Sequence, residues 1–266
     1  MPPAGPRASQ EAMTDQSPSQ ARTSFALELY LRRLTNRSPL NEEEKAALLD
    51  LPAQADEVTV ERDFVHPGDR VTHACLIADG LVARFAQIKN GNRSFVALHI
   101  PGDMADLHSV VAPNVSWALH ALTPTLLLRI PHPALRSIAS RYPAVAIAFW
   151  RDCVVDANIL AQWHVNVSRK DAAARVAHLM CELACRYEAI GLSQGGDRFP
   201  LPITQADMAD AVGLTAVHLN RVLKRLSEQG LLLKEQMSVT ILDRRRLVAL
   251  AEFDADYLEL GCDRRD

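Results

Sequence analysis

The sequence lacks a marked excess of charge of either sign, since 29 lysines and arginines balance 32 aspartates and glutamates over 266 residues. The formal net charge of −3 argues against a protein that coats nucleic acid through a general positive field. It leaves room for sequence-specific DNA binding, which needs only a local basic face. Arg221, Lys224, Arg225 and Lys234 form a cluster of that kind, and residues 244–246 are three further arginines.

Cysteine is scarce, and the five cysteines include no Cys-x-x-Cys pair. They are Cys75, Cys153, Cys181, Cys185 and Cys262. An odd number without close pairing argues against a disulfide framework and indicates a reducing compartment. Cys181 and Cys185 share one face of a predicted helix, where they could sense an oxidant or bind metal, although burial in a core is the more frequent role.

Long apolar runs and secretion signals are also lacking. The longest apolar candidate, residues 145–161, is interrupted by Arg151, Asp152 and Asp156, which argues against a membrane span. We therefore expect a cytoplasmic protein with no membrane partner. Because 48% of the residues are hydrophobic, the chain can form substantial cores in one large or two ordinary domains.

Short alternating runs between residues 58 and 130 predict β-strands. Turn signals separate the runs, including two Pro-Gly-Asp sequences, Asp79-Gly80 and the segment 89–92. Strands of this length and spacing are typical of an antiparallel β-roll of the double-stranded β-helix or jelly-roll type. Helical patterns over residues 25–34 and 41–51 precede the roll, so the predicted fold class is α+β.

A proline start signal at Pro143 predicts a long helix that extends to about Val167. One stripe of this helix contains Ala146, Phe149, Cys153, Ala157, Leu160 and His164, and another surface contains Trp150, Val154, Ile159 and Trp163. A helix that is apolar on two sides can bury one side against its own roll and the other against a partner. We expect Trp150 and Trp163 to anchor a homodimer. The alternative is a helix that packs wholly within a monomer.

The segment from residue 203 to residue 226 predicts a helix-turn-helix. Thr204 and Thr215 can cap its two helices, Ala209 is small where they would cross, and Gly213 supplies the tight turn. The apolar underside consists of Met208, Val212, Leu214, Leu219, Val222, Leu223 and Leu226, and the opposite face carries Thr215, His218, Arg221 and Lys224. An apolar underside beneath a basic face suits a helix that enters the major groove of DNA.

A wing is predicted to follow the helix-turn-helix. Gly230 ends the second helix, and residues 232–233 and 239–242 alternate like two short strands around a polar turn. The predicted organisation is a disordered tail over 1–23, a sensor roll with flanking helices over 24–142, a dimerisation helix over 143–167, a winged helix-turn-helix over 168–245 and a C-terminal tail over 246–266.

With this order of elements, the sequence resembles the Crp/Fnr family of bacterial transcription regulators over about residues 25–245. The resemblance rests on ITQADMADAVGLTAVHLNRVLKRLSEQGLL, on Gly80 and the two Pro-Gly-Asp turns, and on the helix start at 169–177. It implies a cyclic-nucleotide-binding-like roll and a homodimer that binds a pseudo-palindromic site on double-stranded DNA, with RNA polymerase as a further partner. The two recognition helices would enter successive major grooves about 34 Å apart.

The resemblance also implies roles for individual residues. Arg221 takes the base-reading position, where a guanidinium can bind guanine O6 and N7 bidentately. Thr215 and His218 lie where family members contact phosphates, and Gln205 could contact a phosphate from the first helix. Lys224 supports them from the same face.

The sensor end departs from the nucleotide-binding pattern of the family. Gly102–Leu107 stands where those members carry a Gly-Glu element, and Val115-Ser116 replaces the Arg-Ser pair that holds the cyclic phosphate. The implied effector-pocket residues are Gly102, Asp103, Met104, Val115 and Ser116. Because valine cannot neutralise a phosphate, we do not expect cAMP or cGMP. The N-terminus has no cysteine cluster for an iron–sulfur centre, so we expect no cofactor, and the small-molecule effector is unidentified.

Histidines in the predicted roll raise the question of a metal or haem site. The candidates are His66, His73, His108 and His120, with Asp103 and Asp106. They lack the tight spacing of metal ligands, so structural roles are favoured.

Three classes of function are compatible with these patterns, and a sequence-specific DNA-binding regulator is favoured. The alternative is a small-molecule-binding module with degenerate DNA readout, since Ala216 and Val217 occupy positions that often carry base-reading charges. Val217 could still touch a thymine methyl. An enzyme such as a cupin-like metal roll would need converging His and Glu ligands on adjacent strands, which the pattern lacks, so we expect no enzyme.

Overall fold

The computed structural model describes residues 18–87 and 93–260. The first helix, α1 (Pro18–Thr35), begins inside the segment predicted to be a disordered tail, so that prediction was wrong for residues 18–23. The helix extends back from an anchored portion, because Ala26, Leu29 and Tyr30 are fully buried. Residues 1–17, the predicted turn at 89–92 and Cys262 lie outside the described residues.

Helix α2 (Glu42–Leu49) begins where the sequence predicted a helix, at a capping box. The Asn41 side chain accepts a hydrogen bond from the Glu44 backbone N–H at 2.9 Å, and the Glu44 carboxylate accepts one from the Asn41 backbone N–H at 2.8 Å.

The predicted antiparallel β-roll is confirmed. Its strands are β1 (Gln54–Val58), β2 (Arg62–Val65), β3 (His73–Asp79), β4 (Val82–Gln87), β5 (Arg93–His99), β6 (Ala118–Ala121) and β7 (Thr125–Pro131). They form two antiparallel sheets, in the orders β1-β7-β3 and β2-β6-β4-β5. Ile77, Leu119 and Leu127 belong to one apolar cluster that joins both sheets. Gly80 has φ +91°, and a Cβ there would lie 2.7 Å from the Pro124 carbonyl oxygen, so the turn after β3 requires glycine.

Helices α3 (His132–Arg141) and α4 (Pro143–Arg169) follow the roll. The predicted long helix is confirmed, but the assignment of its faces is partly wrong. Trp163 is only 6% exposed, and its indole N–H donates to the Glu182 carboxylate at 2.9 Å, so it cannot anchor a partner. Trp150 is 69% exposed. The outward face, here called the α4 stripe, consists of Ile147, Trp150, Val154, Ala157, Ala161 and Val165.

The C-terminal part contains α5 (Ala172–Ala189), β8 (Arg198–Pro200), α6 (Gln205–Val212), α7 (Ala216–Glu228), β9 (Leu232–Lys234), β10 (Ser238–Ile241) and α8 (Arg244–Ala251). This is the predicted helix-turn-helix with its wing. The small sheet has a third strand, β8, in the order β8-β10-β9. This strand was not predicted from the sequence, because three residues are too few to show alternation.

The predicted C-terminal tail is wrong for residues 246–260, which are packed structure. After α8, residues 252–260, here called the C-terminal strap, contain a 3₁₀ turn (Asp256–Leu258) and bury Phe253, Leu258 and Leu260. Phe253, Leu258 and Leu260 of the strap belong to the same apolar core as α5 and α7, so this segment is part of the folded domain. Within the described residues, no helix combines the length and apolar character needed to cross a membrane.

Candidate nucleic-acid interface and sensor cavity

Helix α7 presents one apolar and one basic face. Leu219, Val222 and Leu226 are buried, whereas Arg221 and Lys224 are exposed on the other side. Among residues 18–87 and 93–260, no carboxylate or hydrogen-bonding group pairs with the Arg221 side chain. Lys224 makes only a loose 3.8 Å contact with the Glu228 carboxylate, and both side chains are solvent-exposed. Such a surface pair is weak, so the face can attract a polyanion.

Local capping fixes the position of this face. Thr204 caps α6 by accepting from the Asp207 backbone N–H at 3.1 Å, and the Asp207 carboxylate accepts from the Thr204 backbone N–H at 3.1 Å. Gly213 ends α6 with φ +64°, a left-handed conformation that favours glycine. The Thr215 hydroxyl then accepts from the His218 backbone N–H at 3.3 Å and begins α7. The turn between the helices is therefore set by side chains that the sequence had indicated.

All the predicted DNA-contacting residues are solvent-exposed. They are Gln205 in the first turn of α6, Thr215 at the cap of α7, and Val217, His218, Arg221 and Lys224 on α7. The Val217 side chain is 65% exposed, so its methyl groups are free to touch another surface. The Thr215 hydroxyl oxygen is already engaged as a cap, which leaves its O–H as the group that could donate to a phosphate.

Arg225 was missed as a site residue. It lies one helical turn after Arg221, and together with His218 it lines a concave surface against Asp171 and Ala172 at the start of α5. This concavity has a volume of about 440 Å³. The i, i+4 spacing from Arg221 was the signal that could have found it.

A second feature is a cavity of about 230 Å³ between the roll and α4, here called the sensor cavity. Its lining consists of Arg33, Arg84, His99, Met104, Leu107, His108, Trp117, Asp152, Cys153, Asp156, Ala157 and Leu160. Of the five residues predicted to form an effector pocket, only Met104 is among them.

The other four predicted residues lie elsewhere, so the prediction was wrong for this cavity. Gly102 packs against Leu29 of α1, and Val115 belongs to the apolar cluster inside the roll. Ser116 is exposed to solvent. Asp103 lies beneath the lining in an ionic cluster. Sequence reasoning missed the lining contributed by α1 and α4, because distant segments meet here only through the tertiary fold.

Asp103 is the centre of a buried ionic cluster that joins three parts of the chain. Its carboxylate pairs with Arg33 of α1 at 2.5 Å and with Arg186 of α5, and it accepts from the Ile100 backbone N–H at 3.0 Å. Burial opposes ionisation of Asp103, but the two guanidiniums outweigh it and hold the pKa well below its ordinary value. Asp152 of α4 pairs with Arg33 and with Arg37, each at 2.8 Å.

The second cavity arginine is also neutralised. One nitrogen of Arg84 donates to the Asp156 carboxylate at 2.7 Å, and another donates to the Ala105 carbonyl oxygen. Asp156 is ionised, because Arg84 keeps its pKa lowered although burial opposes this. Two arginines and two aspartates therefore line the cavity as matched pairs. A cyclic nucleotide needs a free cation for its phosphate, and these residues do not fit it.

Three polar groups at the cavity have no hydrogen-bond partner in the part of the chain that the structure describes. Among the described residues, the buried Nε2 of His99 has no hydrogen bond. The half-buried side chains of His108 and Trp117 have none within the described ranges either. Burial is the main cause that lowers the pKa of His99 and of His108, so both side chains are neutral near pH 7. A neutral imidazole offers one acceptor nitrogen, and the Trp117 indole N–H is a donor.

The remaining candidate histidines have structural partners. His120 Nδ1 lies 2.5 Å from the Asp63 carboxylate, His66 Nδ1 lies 3.4 Å from the Asp69 carboxylate, and His73 contacts Arg129. The part of the chain that the structure describes contains no cluster of three or more His, Cys, Asp or Glu side chains arranged to hold a metal ion.

Cys153 lines the sensor cavity, but it is a poor nucleophile. Burial and then the neighbouring Asp152 raise the pKa of its thiol to about 12. The reactive thiolate is therefore almost absent at neutral pH. Cys181 and Cys185 are buried within α5.

Comparison with known proteins places both features in a family context. A model of the Crp-like helix-turn-helix domain matches residues 174–250, and a model of the cyclic nucleotide-binding domain matches residues 62–142. The transcriptional activator proteins FnrA of Stutzerimonas stutzeri and Anr of Pseudomonas protegens are each 24% identical over 212 residues, covering 80% of this chain and 86% of theirs. FixK2 from Bradyrhizobium japonicum shares the fold, with a TM-score of 0.68 at 23% identity over 77% of this chain and 100% of FixK2.

Proposed function

Since the chain belongs to the Crp/Fnr family of DNA-binding transcription regulators, we propose that it acts as a cytoplasmic homodimer on a pseudo-palindromic operator. In this proposal two copies of α7 enter successive major grooves about 34 Å apart. The observation that carries the proposal is the exposed guanidinium of Arg221 above the buried underside of α7. Among residues 18–87 and 93–260, this guanidinium has no ion-pair or hydrogen-bond partner.

The DNA-binding face divides its work between bases and phosphates. We assign base reading to Arg221, whose planar fork matches the two acceptors of guanine. His218, Lys224 and Gln205 contribute sequence-independent contacts to phosphates. Arg225 joins them, because it lines the same concave surface as Arg221.

The dimer interface is assigned to the α4 stripe. Large apolar side chains exposed along one helix face favour burial against a second copy. Ile147, Trp150 and Val154 are each at least half exposed. Trp150 is the central anchor, because it is the largest of them.

An effector in the sensor cavity would act through α4. Cys153, Ala157 and Leu160 line the cavity, and Ala157 also lies on the α4 stripe. Occupancy of the cavity would therefore bear on the helix that carries the dimer interface. RNA polymerase is the partner through which DNA binding would affect transcription.

DNA reading is tested by selecting sites from random duplexes and measuring affinity by fluorescence anisotropy. Arg221→Ala should weaken binding to the selected site by about 5- to 150-fold, the equivalent of 1–3 kcal/mol. Arg221→Lys should keep affinity for unrelated DNA but lose most of the preference, because lysine lacks the bidentate fork.

Arg141→Ala is the matched control, since Arg141 is an exposed arginine at the end of α3. Unchanged specific affinity of Arg221→Ala would contradict the assigned readout. Failure of the unaltered protein to select any sequence would instead support a small-molecule-binding module with degenerate DNA readout.

The interface is tested by sedimentation at micromolar protein. Trp150→Glu should convert the dimer to monomer, because a charge would replace a buried apolar anchor. Val111→Glu is the control, since Val111 is 83% exposed and lies in a loop outside the α4 stripe. A monomeric unaltered protein, with and without DNA, would rule out this interface.

A further inference from the structure

We propose that the sensor cavity binds a compact, uncharged molecule that carries both a hydrogen-bond donor and an acceptor, rather than a cyclic nucleotide. The regulatory consequence of such binding rests on the proposed function. The binding itself rests only on the groups that line the cavity.

The charged side chains that line the cavity are already paired within the protein. Arg33 is shared between Asp103 and Asp152, and Arg84 is held by Asp156 and the Ala105 carbonyl oxygen. An entering phosphate or carboxylate would have to displace one of these carboxylates, or would lie beside it without a free cation. Both arrangements are unfavourable in a partly buried site. An uncharged molecule meets neither obstacle.

The cavity also presents polar groups that are available for hydrogen bonds to a ligand. Neutral His99 and His108 each present an acceptor nitrogen, and the indole of Trp117 presents a donor N–H. The buried Nε2 of His99 has no partner within the described residues, and an unsatisfied buried polar group is costly. The half-buried side chains of His108 and Trp117 have no partner there either, so they are open to a ligand. A ligand hydroxyl or amide N–H would donate to an imidazole, and a ligand carbonyl would accept from Trp117.

The volume of the cavity suits a compact ligand. Met104, Leu107 and Leu160 supply apolar lining around these polar groups. At the packing density of protein interiors, a cavity of about 230 Å³ accommodates a molecule of roughly ten to twelve non-hydrogen atoms.

The test uses two probes of the same shape and different charge. 4-Hydroxybenzamide is uncharged and carries a hydroxyl donor and a carbonyl acceptor, whereas 4-hydroxybenzoate carries a carboxylate instead. Each is titrated into the full-length protein without DNA, and the indole N–H signals are followed by NMR. The chain has three tryptophans, and Trp117→Phe assigns the signal at the cavity.

The amide should shift the Trp117 signal with a dissociation constant near 1 mM, at least about tenfold below that of the carboxylate. Trp150, on the outside of α4, and Trp163, bonded to Glu182, lie outside the cavity lining, so their signals should shift less than that of Trp117. His108→Phe replaces the imidazole with an aromatic ring that has no nitrogen, so it should weaken binding of the amide several-fold. Ser116→Ala, an exposed site outside the cavity lining, should not.

Equal or tighter binding of 4-hydroxybenzoate or cAMP at Trp117 would overturn the proposal, because it would show that a cation is available. Absence of any shift with the amide up to about 10 mM would overturn it as well. Neither result depends on DNA. A failure here is therefore distinct from a failure of the operator-binding experiment.

Discussion

Arginine has opposite roles in the recognition helix and in the sensor region. Arg221 and Arg225 are exposed on α7, and the described part of the chain supplies neither side chain with an ion-pair partner. Arg33, Arg84 and Arg186 are buried, and each is bound to at least one carboxylate. The same side chain is therefore available to an external anion in one region and holds internal elements together in the other.

The difference follows from the cost of burying charge. A guanidinium removed from water must be paired, and pairing uses up its capacity to bind a ligand anion. The number of arginines near a cavity is therefore a poor guide to its ligand. What matters is whether a carboxylate of the protein is already bound to each of them.

The largest expected effect comes from breaking the buried pairing. Asp103→Asn leaves Arg33 and Arg186 without their shared negative charge, and we expect the free energy of unfolding to fall by about 3–5 kcal/mol. Urea unfolding at constant pH measures the change as a lower midpoint. Asp50→Ala removes an exposed carboxylate and should change stability by less than about 0.5 kcal/mol. If both variants lost the same small amount of unfolding free energy, the buried ionic cluster around Asp103 would not be important for stability.

A smaller effect is expected at Asp106, a buried carboxyl that no arginine pairs with in the described residues. One oxygen accepts from the Cys75 backbone N–H at 2.6 Å, the other has no partner there, and burial raises the pKa from 3.8 to about 6. Because the folded state binds the proton more tightly than the unfolded state, stability should fall as pH rises from about 4 through 6 and then level off.

Asp106→Asn removes this titration. It should match the unaltered protein near pH 4 and exceed its stability at pH 7.5 by up to about 3 kcal/mol, the equivalent of the two-unit difference in pKa. Thermal unfolding across this pH range measures it. If both proteins lost stability in parallel between pH 4 and 7, the titrating group would lie elsewhere.

The smallest expected change in stability is at the exposed Arg221 of α7. Arg221→Ala should leave the free energy of unfolding within about 0.5 kcal/mol of the original value, since the side chain has no partner in residues 18–87 and 93–260. The same urea series measures it. A loss comparable to that of Asp103→Asn would mean that Arg221 is a structural residue, and the contrast between the two regions would disappear.

The helix-turn-helix could be predicted from the sequence because its signals are local. Thr204, Gly213 and Thr215 fall at fixed offsets, and the periodicity of α7 identifies both its faces. The cavity could not, because Arg33, Arg84 and Asp156 come from a helix, a strand and a second helix that meet only in the tertiary fold. Trp150 and Trp163 are indistinguishable by residue type, and only packing shows that one faces solvent and the other Glu182.

The C-terminal strap connects α5 to the segment that follows α1. The Tyr257 hydroxyl donates to Glu182 at 2.9 Å, and Arg37 near the end of α1 donates to the Leu258 carbonyl oxygen at 3.0 Å. Two adjacent residues of the strap, Tyr257 and Leu258, therefore contact α5 and the segment after α1 respectively. If the strap stays with α5, a movement of the helix-turn-helix part away from the roll must break the hydrogen bond from Arg37 to the Leu258 carbonyl oxygen. The C-terminal strap therefore couples the position of the helix-turn-helix part to the segment that follows α1.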